Sequence, residues 1–212
     1  MRFFVTAKHW QLFILLFVLP MAIVVVMMAT VMFSVFQEAQ SMQYGSDPSL
    51  VDPLAIYGKM ANFYLALIPV VWISFLWQWN LGHFMQSTLP EELKMKTTLF
   101  KVCTLGSVLW ATGLMVGIKY FFGAMSEIGQ WDEFSYGFFI AMGITSLSSI
   151  IIAAAGMYNL YFLAKSFKTA ELREKVTFGQ FVGEFFLMWF FSIVGVFILQ
   201  PKINEIAARH QQ

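Results

Sequence analysis

A carboxyl group stands inside an apolar run. Glu184 lies in the segment 178–199, about 9 Å from its start at 1.5 Å per helical residue. An ionised carboxylate in hydrocarbon is costly, so Glu184 must face other protein and either pair or keep its proton. Asn80 and Asn159 occupy equivalent places in two other apolar runs, roughly one and a half turns from their inner ends. His83, Lys101, Gln180 and Tyr158 fall within a turn of the same depth. Two chemistries fit this polar layer of Asn80, His83, Lys101, Asn159 and Glu184. One is a proton- or cation-linked site. The other is a structural glutamate, hydrogen-bonded to Asn159 or paired with Lys101, that locks helices together. Acid–base catalysis would require a second ionisable group within about 3.2 Å of Glu184 or His83, in a cleft.

Other chemistries lack their residues. The sequence holds no phosphate-cradling glycine loop, no HExxH, no CxxC and no Ser–His–Asp order. The single cysteine, Cys103, lies in an apolar run and rules out an internal disulfide and a cysteine-based metal site. His9, His83 and His210 form no pair along one helix face, as axial haem ligands would. No cofactor and no metal site are therefore expected.

The elements that position these residues are read from hydropathy. The chain is 59% hydrophobic and 12% charged, with a mean hydropathy of +0.70, about half the charge of a soluble domain. Its 24 Phe and 7 Trp exceed what one small globule can hide, so lipid is the expected solvent. No basic stripe with interleaved aromatics marks a nucleic-acid partner. Apolar runs predict five transmembrane helices, over about 10–36, 54–85, 98–125, 134–165 and 178–199, in a single domain covering 1–212. The first is too long for a signal-peptide core and is expected to bend near Pro20. Pro69 predicts a kink in the second, and Gln200-Pro201 is expected to stop the fifth. The small residues of the fourth, from Thr145 to Gly156, suit the middle of a bundle, and Gly113-x-x-x-Gly117 and Gly179-x-x-x-Gly183 suit close helix approach.

The second to fifth runs contain an internal repeat. At the offset that places Asn80 on Asn159, Leu81/Leu160, Ser87/Ser166, Glu92/Glu171, Leu93/Leu172, Lys96/Lys175 and Thr98/Thr177 are also identical, and Lys94/Arg173 keeps its charge. Each copy is a charged turn between two apolar runs, which predicts two helical hairpins (2–3 and 4–5) related in parallel after one extra helix. Within the turns, Glu92 and Lys96, and Glu171 and Lys175, are spaced i,i+4 as helical ion pairs. The turns are either interfacial elbows or, through Glu92, Lys94, Lys96, Glu171, Arg173 and Lys175, a docking surface for a cytoplasmic partner or anionic lipid.

Basic residues orient the chain. Arg2, Lys8, Lys94, Lys96, Lys101, Lys165, Lys168, Arg173 and Lys175 fall on one side of the five-helix arrangement, against Lys59, Lys119, Lys202 and Arg209 on the other. The positive-inside rule then makes the N-terminus and both turns cytoplasmic and the C-terminus periplasmic.

The segments 162–166 (FLAKS), 170–172 (AEL), 176–178 (VTF), 183–187 (GEFFL), 189–191 (WFF) and 199–204 (LQPKIN), with Leu89-Pro90-Glu91, Met95 and Leu99-Phe100, resemble an uncharacterised family of small multi-pass inner-membrane proteins of Bacteroidota. The likeness covers roughly the last 130 residues. It implies an inner-membrane location and a characteristic setting for Glu184, and carries no activity. The expected function is that of a non-enzymatic accessory or scaffold subunit, with lipid, other membrane subunits or further copies of itself as partners. The rival is a small transporter or channel subunit built around Glu184, and the third class is an intramembrane enzyme.

Overall fold

The computed structural model describes residues 7–43, 53–128, 131–190 and 192–210, and its regular elements there are all helical. α1 (His9–Phe13) passes through a π-helical segment (Ile14–Val18) into α2 (Leu19–Gln43). α3 (Pro53–Thr88) is joined through a 3-10 turn (Glu91–Leu93) to α4 (Thr98–Ile128), and α5 (Trp131–Leu172), α6 (Phe178–Phe190) and α7 (Ser192–His210) follow. Four stretches are long and apolar enough to cross a bilayer: His9–Gln37, Tyr64–Thr88, Thr98–Phe121 and Met142–Leu172. Among the described residues the chain is all-helical, and these four helices are compatible with a multi-pass membrane protein.

The π segment ends immediately before the turn that holds Pro20. Proline has no N–H to give its i−4 carbonyl, and a wider register there is a usual accommodation. Pro69 and Pro201 are carried inside α3 and α7. Pro201 therefore does not stop a helix as expected. One missing N–H is tolerated where neighbouring packing holds both sides of the break, and Leu199, Gln200 and Ile203 around it are buried.

The expected fifth span, 178–199, is described as α6 and the first part of α7, and neither is among the stretches long and apolar enough to cross a bilayer within the described residues. A straight helix from Phe178 would carry Lys202 about 36 Å away. Instead Lys202 Nζ lies 3.0 Å from Glu171 Oε1, before the start of α6, so the chain reverses between α6 and α7. Gln200 Nε2 and Asn204 Nδ2 then donate to the Ala7 carbonyl, at 3.2 and 3.4 Å. The C-terminal helix thus packs at the same end of the bundle as residue 7 and both charged turns, contrary to the expected placement of Lys202 and Arg209. Among the described basic residues, Lys59 and Lys119 remain toward the opposite end.

The reversal follows from apolar periodicity. Phe181, Phe185 and Met188 form one stripe of α6; Leu199, Ile203, Ile206 and Ala207 form another on α7; and both belong to one buried cluster with Met85, Leu89, Phe100, Leu163 and Phe167. This core lies at the turn end of α3–α5. Phe100 and Phe162 stack with ring centroids 4.4 Å apart. A Cβ on Gly82 would come within 2.6 Å of the Phe100 ring, so glycine allows that ring to seat between α3 and Leu163.

Away from this end the bundle opens. The middle of α5 is mostly exposed, with Ile144 at 65%, Leu147 at 68% and Ile151 at 69%, so the small-residue helix does not occupy the bundle centre. Its buried face begins at Asn159, nearer the turn. The connection between the expected runs 10–36 and 54–85 is shortened by the extension of α2 to Gln43, and 44–52 lie outside the described residues. The 126–133 turn is likewise shortened by α4 and α5, and 129–130 lie outside them.

Candidate functional site

The charged groups meet at the turn end of the bundle. The last turns of α5 carry Lys168 and Glu171, α6 supplies Glu184, and α7 supplies Lys202. Lys168 Nζ donates to Glu171 Oε2 at 2.8 Å and to Glu184 Oε1 at 3.1 Å, while Lys202 Nζ donates to Glu171 Oε1 at 3.0 Å. Two cations and two carboxylates alternate along this chain of contacts, so its formal charges cancel. The side chains of Lys168 and Glu184 are 19% and 13% exposed; at that burial an unpaired member would be far costlier than at an open surface.

Glu184 therefore faces protein, as its cost in hydrocarbon demands, but neither expected partner is the one found. Among the described residues the Asn159 side chain makes no hydrogen bond, and Lys101 forms no ion pair. Helix length is the reason. With no breaker before Arg173, α5 continues to Leu172. That puts Asn159 about 20 Å from the end of α5, while Glu184 is about 9 Å from the start of α6. Lys168 lies beyond the expected end of the fourth helix at 165, yet it is helical, and its ammonium group meets both Glu171 and Glu184. Its i,i+3 spacing from Glu171 was the available signal. Lys168 also meets the distance set for an acid–base pair with Glu184, although the same nitrogen serves both carboxylates.

The turns differ between copies. Pro90 stands where the second copy has Thr169. In the first copy the helix ends at Thr88 and the chain is extended at Pro90 and Lys94 on either side of the 3-10 turn. In the second, the helix runs on until Arg173, which takes a left-handed φ of 55° and donates its N–H to the Thr169 carbonyl at 2.8 Å, a backbone helix stop more common for glycine. Neither expected i,i+4 pair forms, because neither turn is helical across its spacing. Lys94 pairs with Glu91 and Glu171 with Lys168 and Lys202; Glu92, Lys96 and Lys175 remain exposed. Gln86 joins the copies, donating to Ser166 Oγ and accepting from the Met95 N–H, both at 2.8 Å.

Deeper in the bundle, the remaining polar residues do not form one bonded layer. His83 is exposed and packs on Trp79, ring centroids 5.2 Å apart, and Lys101 is half-buried. Asn80 donates to the Leu76 carbonyl of its own helix at 2.6 Å. Among the described residues, Asn159 is fully buried with neither its amide oxygen nor its amide nitrogen bonded, and Ser107 Oγ and Trp77 Nε1 are also buried without partners. The level of Gly82, Phe100 and Leu163 fixes the helix register. Measured from it, Asn159 is one turn farther along α5, Ser107 about 10 Å along α4 and Trp77 about 8 Å along α3. The three groups thus lie within about one helical turn of a common depth.

Gly113 and Gly117 on α4, and Gly179 and Gly183 on α6, are exposed, and a Cβ at any of them would meet nothing within 4 Å. They permit no close approach within this chain. Among the described residues, no cluster of His, Cys, Asp and Glu could hold a metal ion. Comparison with protein-family models, curated proteins and solved structures finds no match to this chain.

Proposed function

We propose that the protein is a non-enzymatic integral membrane protein of the bacterial inner membrane, an accessory or scaffold subunit of a membrane assembly, with residue 7 and both charged turns on the cytoplasmic side. The observation that carries this reading is the engagement of Glu184. The carboxylate best suited to ion coupling is held by Lys168, which also binds Glu171. Its charge is used to fasten the α6–α7 hairpin to α5. The exposed apolar surface of α2, with Met32 at 71% and Phe33 at 62%, and the open glycine faces of α4 and α6 offer contact to lipid, other membrane subunits or further copies of the chain. The family resemblance agrees with the location.

The test is purification in a mild detergent followed by mass spectrometry of the intact complex. A stoichiometric membrane protein, or a second copy, should remain bound and should be lost when Gly113 and Gly117 are both replaced by leucine. A lone chain with no bound protein in several detergents would overturn the reading.

A second reading is a small transporter or channel subunit. The unbonded amide of the fully buried Asn159 favours it, because polar groups kept in a membrane interior commonly mark a pathway. Proteoliposomes that show proton or cation uptake dependent on Asn159 would support this reading over the first.

A further inference from the structure

The reversal of the C-terminal helix also assembles a second, separate feature. Thr88 at the end of α3, Ala170 and Arg173 at the end of α5, and Ile206 and Arg209 on α7 line a shared surface notch. Its floor is the buried Ala170 and Ile206, and its rim carries the exposed Arg173 and Arg209. Both guanidinium-bearing residues are anchored. Arg173 is set by its left-handed backbone and its bond to the Thr169 carbonyl. Arg209 follows Ile206 and Ala207, which are 6% and 4% exposed against the core.

Two arginines line one notch, and no ion pair compensates either among the described residues. The nearby acids are otherwise placed. Glu171 is occupied by Lys168 and Lys202, and Glu174 and Glu205 are exposed and make no ion pair among the described residues. The C-termini of α3, α5 and α7 come near this notch, and each helix end contributes up to about half a negative charge. They offset part of the arginine charge but accept hydrogen bonds only along their own axes. Thr88 Oγ1 already donates to the Met85 carbonyl at 2.8 Å, so the guanidinium N–H groups are the donors left to a ligand. Arginine's planar fork matches the oxygens of a phosphate. The notch is open, opposite in character to an enclosed metabolite pocket, and lies at the end of the spans where a bilayer's headgroups begin.

We infer that Arg173 and Arg209 form a binding site for a phosphate-bearing anion at the interfacial end of the bundle. The phosphate belongs either to an anionic lipid headgroup or to a soluble phosphate. The site holds the C-terminal helix to the end of α5, next to but independent of the Glu184–Lys168–Glu171–Lys202 contacts.

The experiment follows tryptophan fluorescence and thermal unfolding of the detergent-purified full chain. It is titrated with phosphatidylglycerol in mixed micelles, with phosphatidylcholine, and with inorganic phosphate against chloride at equal ionic strength. The expected result is a saturable upward shift in unfolding temperature with phosphatidylglycerol exceeding that with phosphatidylcholine. R173Q/R209Q should weaken apparent affinity at least about fivefold, the factor expected for a single interfacial arginine. A shift with inorganic phosphate that the same variant loses supports the site and assigns it to a soluble anion. R209Q alone, near the chain end, covers failure of the double variant to fold and should itself weaken binding about fivefold. K8Q, which removes an exposed charge from the same end, should leave binding unchanged. Equal affinity in wild type and R209Q, equal loss in K8Q, or no shift with either anion would overturn the inference.

Discussion

Lys202 and Glu171 are joined across 3.0 Å although α6 and its reversal lie between them in the chain. With this contact α6 and α7 fold back on the turn end of the bundle, and α7 lies against residue 7 through Gln200 and Asn204.

Topology is the first consequence. Reporters inserted in 173–175 and fused after Gln212 should report the same side of the membrane. Opposite sides would contradict the reversal and restore a fifth complete span.

Within the ion network, Lys168 should matter more than Glu184. Lys168→Met leaves Glu184 without a cation and Glu171 with only Lys202, and should lose about 3 kcal/mol, the scale of a partly buried pair broken from one side. Glu184→Gln retains an acceptor for Lys168 and should lose under about 1 kcal/mol, while Glu184→Leu should lose about 1–2 kcal/mol. Reversible unfolding in mixed SDS micelles ranks the variants. Glu184→Gln as damaging as Lys168→Met would refute a purely fastening role for the carboxylate.

Two glycine positions should respond in opposite ways. Gly82→Ala drives a methyl group to 2.6 Å from the Phe100 ring and should destabilise by about 1–3 kcal/mol, as overpacking does. Gly113→Ala meets nothing within 4 Å and should be neutral or slightly stabilising, since alanine is the better helix former. The same unfolding assay decides. A neutral Gly82→Ala would mean that Phe100 does not pack against α3 as described.

Asn159 tests whether its polarity is structural. A fully buried amide with neither atom bonded costs stability, so Asn159→Leu should resist SDS at least as well as wild type. A loss above about 1 kcal/mol would show that the amide makes a stabilising bond and would remove the support it lends the transport reading.

Much of the bundle was legible in local sequence. Charged turns after Thr88 and Leu172, with new helices beginning at Thr98 and Phe178, follow from residue patterns a few positions wide, as does the membrane class. The demand that Glu184 meet a polar partner followed from the cost of a carboxylate in hydrocarbon alone. Its partner did not. The choice of Lys168 over Asn159 or Lys101 depends on α5 continuing to Leu172, past the point where apolar character fades. Helix propensity and the absence of a breaker, not hydropathy, carry it there.

Hydropathy has no direction. The run 178–199 is apolar enough to read as one crossing, and the sequence alone determined that it must be helical and removed from water. Whether it continues or turns back depends on Phe181, Phe185 and Met188 burying the same core as Leu199, Ile203, Ile206 and Ala207, and on Lys202 reaching Glu171. Those contacts join residues distant in the chain, so only the tertiary structure decided the reversal, and with it the meeting of Arg173 and Arg209 at one notch.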